Sequence, residues 1–204
     1  MEEQTTLKLM LAFTIGYLSV FTVLALLNKN YEFLYYTIVM SIALFVIILY
    51  HKKVHLSSHV MAGLTIVGAM HIFGGNIYLN ETRLYDLWLV PNLFKYDNFV
   101  HFIGTFTATF IVYSLLYPHL DKKLEHNKIL LSILLIMIAS GFGAFNEVLE
   151  LGAVAYLNAA KQVGDYFNNA FDLLFNMLGS IIACFFLMRY HKYKKSYSAI
   201  KRQA

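Results

Sequence analysis

A single cysteine, Cys184, stands in the 204 residues, so the chain can close no internal disulfide and carries no paired-cysteine metal motif. Charge is also scarce. Only 14% of the residues are Asp, Glu, Lys or Arg, against about 25% in soluble domains. Apolar residues make up 59% of the chain, and the mean hydropathy is +0.59. A soluble fold of this length has too little interior to hide that much apolar surface, whereas a bilayer takes it up. The net charge of +4 suggests nucleic acid at first sight. That reading is excluded, because the basic residues lie in short loops between apolar runs, where membrane topology accounts for them. The N-terminus lacks the basic region of a signal peptide and opens instead with Glu2 and Glu3. The apolar run Leu9 to Leu27 exceeds a signal core in length and has no small-residue cleavage site, so it is expected to be a first, uncleaved span.

A helix needs about 20 apolar residues to cross the hydrocarbon core. Six runs qualify: 9–27, 33–50, 60–79, 97–117, 129–150 and 170–189. The expected fold is all-α, a polytopic membrane protein with six transmembrane helices. Three segments are expected: an N-terminal two-helix hairpin (1–58), a four-helix core carrying the polar cluster (59–190) and a basic cytoplasmic tail (191–204). The fifth helix is expected to run past the membrane, since Leu151 to Ala160 has no breaker beyond Gly152. Lys and Arg distribute twelve against four between the two sides. The richer side has Lys8, Lys52, Lys53, Lys122, Lys123, Lys128 and the tail; the poorer side has Lys29, Arg83, Lys95 and Lys161. The positive-inside rule then places both termini in the cytoplasm of a plasma (inner) membrane protein, with membrane lipids as its expected partners.

Ionisable groups inside spans are costly and usually functional. Here they gather on the outer side: His71 in span three, Asp97 and His101 opening span four, Glu147 and Glu150 late in span five, Asp172 and Asn176 opening span six. Asp97, His101, Gly104 and Ala108 share one helical stripe, and Asp172, Asn176, Gly179 and Ala183 repeat the same offsets. Small residues below each polar pair allow a neighbouring helix to approach closely. Ala139 with Gly143, and Ser140 with Ala144, supply the same in span five. The two stripes are 75 residues apart, and the same ungapped shift pairs Gly68 with Gly143, His71 with Asn146 and His101 with Asn176. Spans three–four and five–six therefore read as a parallel hairpin repeat, with a pseudo-twofold axis along the membrane normal.

The run Tyr96-Asp97-Asn98-Phe99-Val100-His101-Phe102 resembles the D-x-x-x-H-F motif of VanZ-like membrane proteins. Asn146-Glu147-Val148-Leu149-Glu150 is similar to their acidic motif, and Asp172-x-x-x-Asn176-x-x-Gly179 to their closing motif. Many VanZ-like proteins have Gln at the place of Glu150. The pair Glu147 and Glu150, with the stretch from His71 through Arg83-Leu84-Tyr85-Asp86, resembles the YjdF-like family of bacterial inner-membrane proteins more closely. The likeness covers residues 60–190, with nothing specific in spans one and two. It implies a membrane fold and an envelope setting, and supplies no reaction.

Three readings of the cluster stay open: a hydrogen-bond network locking helices together, an acid–base or metal-assisted enzyme, and a proton or small-solute path. As an enzyme, Glu147 or Glu150 serves as general base or metal ligand, with Asp97 and Asp172 orienting His101 and Asn176. Asn146, Asn176, Tyr85 and Asp86 are candidate binding residues, and His71, His101 and Glu147 candidate ligands of a divalent transition metal. A lipid headgroup or lipid-linked envelope precursor suits a pocket at headgroup depth. Below Gly104 and Gly179 the stripes turn apolar or small, which disfavours a through-path. The loop from Asn80 to Tyr96, with Tyr85, Trp88, Phe94 and Tyr96, reads as an aromatic belt at headgroup level, with a lid over the cluster as the sharper alternative. His51, His55 and His59 read as a solvated turn.

Overall fold

The computed structural model describes residues 2–54, 56–157, 159 and 163–201. Six helices are long and apolar enough to cross a membrane: α1 (Glu2–Leu27), α2 (Tyr31–Val54), α3 (Ser58–Asn76), α4 (Tyr96–Leu116), α6 (Lys128–Leu157) and α7 (Tyr166–Lys201). A short helix, α5 (Lys122–His126), lies between α4 and α6. The chain is an all-α polytopic membrane protein. His55, Lys161 and Arg202 lie outside the described residues.

Side chains start several of these helices. Asn30 Oδ1 accepts from the Phe33 amide at 3.2 Å, Ser57 Oγ from Val60 at 3.4 Å and Asp121 Oδ1 from Leu124 at 2.7 Å. Each satisfies an amide that the first helical turn leaves open. At 30 residues, α6 is about 45 Å long, more than a hydrocarbon core of about 30 Å needs, and Ala160, the end of the expected extension, lies outside the described residues. Large apolar residues such as Phe45, Ile129, Phe145 and Phe185 cover the outside of the bundle. The interior divides into three packed groups. Tyr17, Leu18, Ala69 and Ile72 join α1 to α3; Val112, Leu131, Leu135 and Cys184 close one end; Phe33, Tyr36, Tyr85 and Val100 close the end that carries the polar residues.

Between α3 and α4 the chain makes two small antiparallel hairpins, β1 (Tyr78–Leu79) with β2 (Thr82–Arg83) and β3 (Trp88–Val90) with β4 (Phe94–Lys95). Asn80 and Glu81 both take positive φ, the requirement of a type I′ two-residue turn. Pro91 followed by Asn92 at φ 58° supplies the residue choice of a type II turn. Between the hairpins, a 3-10 turn over Leu84–Asp86 sends Tyr85 inward, where it is buried, and Asp86 outward. The segment thus sends Tyr85 inward and leaves Trp88, Leu89, Val90 and Leu93 exposed.

α4 packs along α7, and glycine sets the approach. A Cβ on Gly179 would collide with the Phe102 carbonyl and lie 2.6 Å from Thr105 Oγ1, and a backbone carbonyl cannot swing aside. Gly104 has only Val67 Cγ1 nearby, at 3.8 Å. Gly179→Ala is therefore expected to lower stability by about 1–3 kcal/mol through overpacking. Gly104→Ala should stay within about 0.5 kcal/mol of the native protein. Thermal unfolding in detergent separates the two, and equal melting temperatures would refute the close α4–α7 contact.

Candidate functional site

The first turns of α4, the latter half of α6 and the start of α7 bring their polar residues to one point, the imidazole of His101. Asp97 Oδ1 lies 3.6 Å from His101 Nε2, and Glu150 Oε1 and Asp172 Oδ1 each lie 3.9 Å from it. Glu147 Oε1 lies 3.5 Å from Nδ1. These separations exceed an ordinary charge-assisted hydrogen bond of about 2.7–2.9 Å. Glu147 approaches Nδ1 and the other three carboxylates approach Nε2, so a single ion would take only one of the two ring nitrogens. Two sets bring their ligand atoms within 4.8 Å of one another: Asp97, His101 and Asp172, and His101, Glu147 and Glu150.

The two sets differ in how well they are satisfied. Asp172, fully buried, accepts from Asn98 Nδ2 at 2.7 Å and from Asn168 Nδ2 at 2.8 Å, one bond to each oxygen. Asn98 also accepts the Lys95 amide at 2.8 Å through its Oδ1, so one side chain caps α4 and holds the α7 carboxylate. Glu150 accepts from Asn146 Nδ2 at 2.8 Å, an i,i+4 bond on α6. Both oxygens of Glu147 are buried without a hydrogen-bond partner, its approach to His101 being an ion-pair distance only.

Energies decide how this arrangement reads. Two carboxylates at about 4.8 Å repel by roughly 3–4 kcal/mol at an effective dielectric of 20. Polar pairs between membrane helices contribute on average about 0.6 kcal/mol. Four carboxylates around one imidazole, even with that imidazole protonated, are not balanced by hydrogen bonding alone. The site calls for added positive charge, either protons or a cation.

His71 stands apart from both sets. Its Nδ1 meets the Tyr85 hydroxyl, and its ring lies among Phe33, Tyr36 and Tyr85. Burial, with the Asp97 and Glu150 carboxylates nearby, holds the Tyr85 phenol well above its ordinary pKa. The phenol therefore keeps its proton and donates it to Nδ1, which leaves Nε2 as the protonated nitrogen of a neutral ring. Of the expected ligand set His71, His101 and Glu147, the last two come together and His71 does not. Asp86 is half exposed and pairs with Arg83 Nε at 2.9 Å, away from His101, because the 3-10 turn points it outward. It does not join the acid cluster. Tyr85 reaches the site through His71, and Asn146 through Glu150.

Span two contributes Glu32, which is 9% exposed near the start of α2. Its Oε1 lies 3.8 Å from Arg83 Nη1, tying the hairpin segment to the bundle. Phe33 and Tyr36, on the same helix, wall the site. A lone acid opening a span was a usable signal for Glu32. Asn168 lies one turn before Asp172 on the same stripe and was equally legible. Asn98 lies off the stripe, and no spacing argument points to it.

Below the cluster lies a cavity of about 260 Å³. Both members of four pairs related by the 75-residue shift line it: Val67 and Phe142, Gly68 and Gly143, His71 and Asn146, His101 and Asn176. The outer packing does not follow the same symmetry. α4 lies against α6, while among the described residues α7 makes no comparable contact with α3.

Residues 8–193 match the family described as "Predicted membrane protein (DUF2238)". The chain belongs to the DUF2238 family. The match takes in α1 and α2 as well as the four helices after them, in keeping with the place of Glu32, Phe33 and Tyr36 in this DUF2238 site. No curated protein and no solved structure matches the chain.

Proposed function

We propose that this chain is a membrane-embedded, metal-dependent enzyme acting on a lipid headgroup or lipid-linked envelope precursor at the outer leaflet. His101, Glu147 and Glu150 hold a divalent transition metal, and Asp97 and Asp172 steady the imidazole. The observation that carries this reading is the Glu147 carboxylate, both of whose oxygens are buried and unpartnered at the most acidic point of the bundle. Removing polar groups from water without a partner is costly, so a carboxylate kept this way serves a ligand. A metal would act there as a Lewis acid on a headgroup oxygen and would activate a water. Imidazole with carboxylates suits Zn, Fe or Mn, and helical bundles are an established setting for such sites.

The twelve-to-four division of Lys and Arg supports an outer position for the cluster and cytoplasmic termini. The likeness of its motifs to VanZ-like and YjdF-like proteins supports the envelope setting. A reporter fused after Lys195 is expected to score as cytoplasmic and one at Lys95 as external; the reverse pattern would contradict the orientation. The metal is tested by thermal unfolding of chelator-stripped protein. Zn²⁺ or Mn²⁺ at a hundredfold excess over its dissociation constant should stabilise it by about 2.7 kcal/mol. No stabilisation by any divalent transition metal would leave protons as the balancing charge and end the metal reading.

A further inference from the structure

We infer that the cavity beneath His101 holds one acyl chain of an ester-linked lipid, with an ester carbonyl accepting a hydrogen bond from Asn176 Nδ2. The inference rests on the proposed function and names its substrate class.

The cavity is polar at one end and apolar at the other. His101, Asn146 and Asn176 stand toward the polar end, and Val67, Phe142 and Ala108 are among the residues that line the rest. From His101 to Ala108 along α4 is seven residues, roughly 10 Å of depth into the bundle. Between α3 and α6 the cavity is lined by Val39 and Met40 of α2, which packs on both helices. Phe142 lines the cavity and is 56% exposed, so it is the lining residue past which a chain from the surrounding membrane would enter.

Asn176 identifies the chemistry. It is 1% exposed, yet its Nδ2 has no hydrogen-bond partner. Gly143 makes room for it, since a Cβ there would stand 2.5 Å from the Asn176 amide. An unpaired donor beside an apolar cavity fits an acceptor carried in by the occupant. Asn176 lies one helical turn, about 6 Å, below Asp172. That is deep enough for an acyl ester while the headgroup remains at the carboxylates. A free headgroup or a soluble metabolite would not fill the apolar end.

The probe is phosphatidylethanolamine carrying a diazirine on one acyl chain, presented in nanodiscs with the full chain. This headgroup has no net charge, so bulk electrostatics do not select it. Peptides containing Val67 and Phe142 should be labelled, and the ether-linked analogue should label them about fivefold less, the equivalent of one hydrogen bond. Asn176→Leu should remove the ester preference. Gly104→Leu, whose side chain would extend from the cavity lining, should cut labelling at least tenfold while metal-dependent thermal stabilisation persists. Equal labelling by ester and ether lipids in the native protein would overturn the carbonyl assignment. Labelling confined to outward residues such as Phe45 would overturn the cavity assignment. If the cavity is labelled but no metal stabilises the protein, the acyl-chain inference stands and the metal reading falls. If metal stabilises the protein but the cavity is not labelled, the metal reading stands and the acyl-chain inference falls.

Discussion

Glu147→Gln is expected to raise the melting temperature of the metal-free protein and to abolish both its stabilisation by metal and the activity of the native chain. The change keeps side-chain shape and removes a buried charge that has no hydrogen-bond partner. The gain comes from relief of repulsion with the neighbouring carboxylates, roughly 3–4 kcal/mol per pair at an effective dielectric of 20. A neutral amide is a poor metal ligand beside imidazole and carboxylate, so metal would no longer stabilise the variant. The opposite signs in the two states make the prediction sharp. If Glu147 belonged to a satisfied structural network, its replacement would be neutral or destabilising in both states. Glu150→Gln should lose the metal too but gain less in the metal-free state, because Glu150 already accepts from Asn146. Thermal scans of both variants, with and without chelator, check these outcomes.

The second large effect concerns His101. Its side chain is 7% exposed and is approached by all four carboxylates. His101→Ala leaves them facing one another with neither imidazole nor metal between them. Breaking a buried charge cluster by removing one partner costs about 3–5 kcal/mol, a large share of the stability of an ordinary domain. His71→Phe offers the contrast. It leaves the Tyr85 hydroxyl without its acceptor, at a cost of about 1–3 kcal/mol, and leaves the metal set untouched. Metal binding should therefore survive His71→Phe and fail in His101→Ala. Loss of metal in His71→Phe would return His71 to the ligand set.

The parts of this protein that follow periodic rules were legible in its sequence. Six apolar runs became six helices, because a span has few other ways to satisfy its backbone in lipid. Asp97, His101, Asp172 and Asn176 came together because stripes of helical spacing with small residues below them leave helices little choice of facing side. Other parts depended on geometry that no spacing records. The outward turn of Asp86 and the inward turn of Tyr85 follow from a single 3-10 turn between two hairpins. His71 was a candidate ligand as a histidine within a span, and only the packed structure shows that its Nδ1 is already engaged by the Tyr85 hydroxyl. Asn98 serves α4 with one end of its amide and α7 with the other, a pairing that appears only once the helices are packed. Glu32 was readable as a lone acid just ahead of a span, but its partner Arg83 lies on the far side of two turns and a helix.

Metal analysis of the detergent-purified protein, native and Glu147→Gln side by side, tests the central claim most directly. The native chain should carry close to one equivalent of a divalent transition metal and the variant a small fraction of that, with both melting cooperatively. A native protein free of transition metal under conditions that never expose it to chelator, or a variant as fully loaded as the native chain, would contradict the assignment of His101, Glu147 and Glu150 as a metal centre.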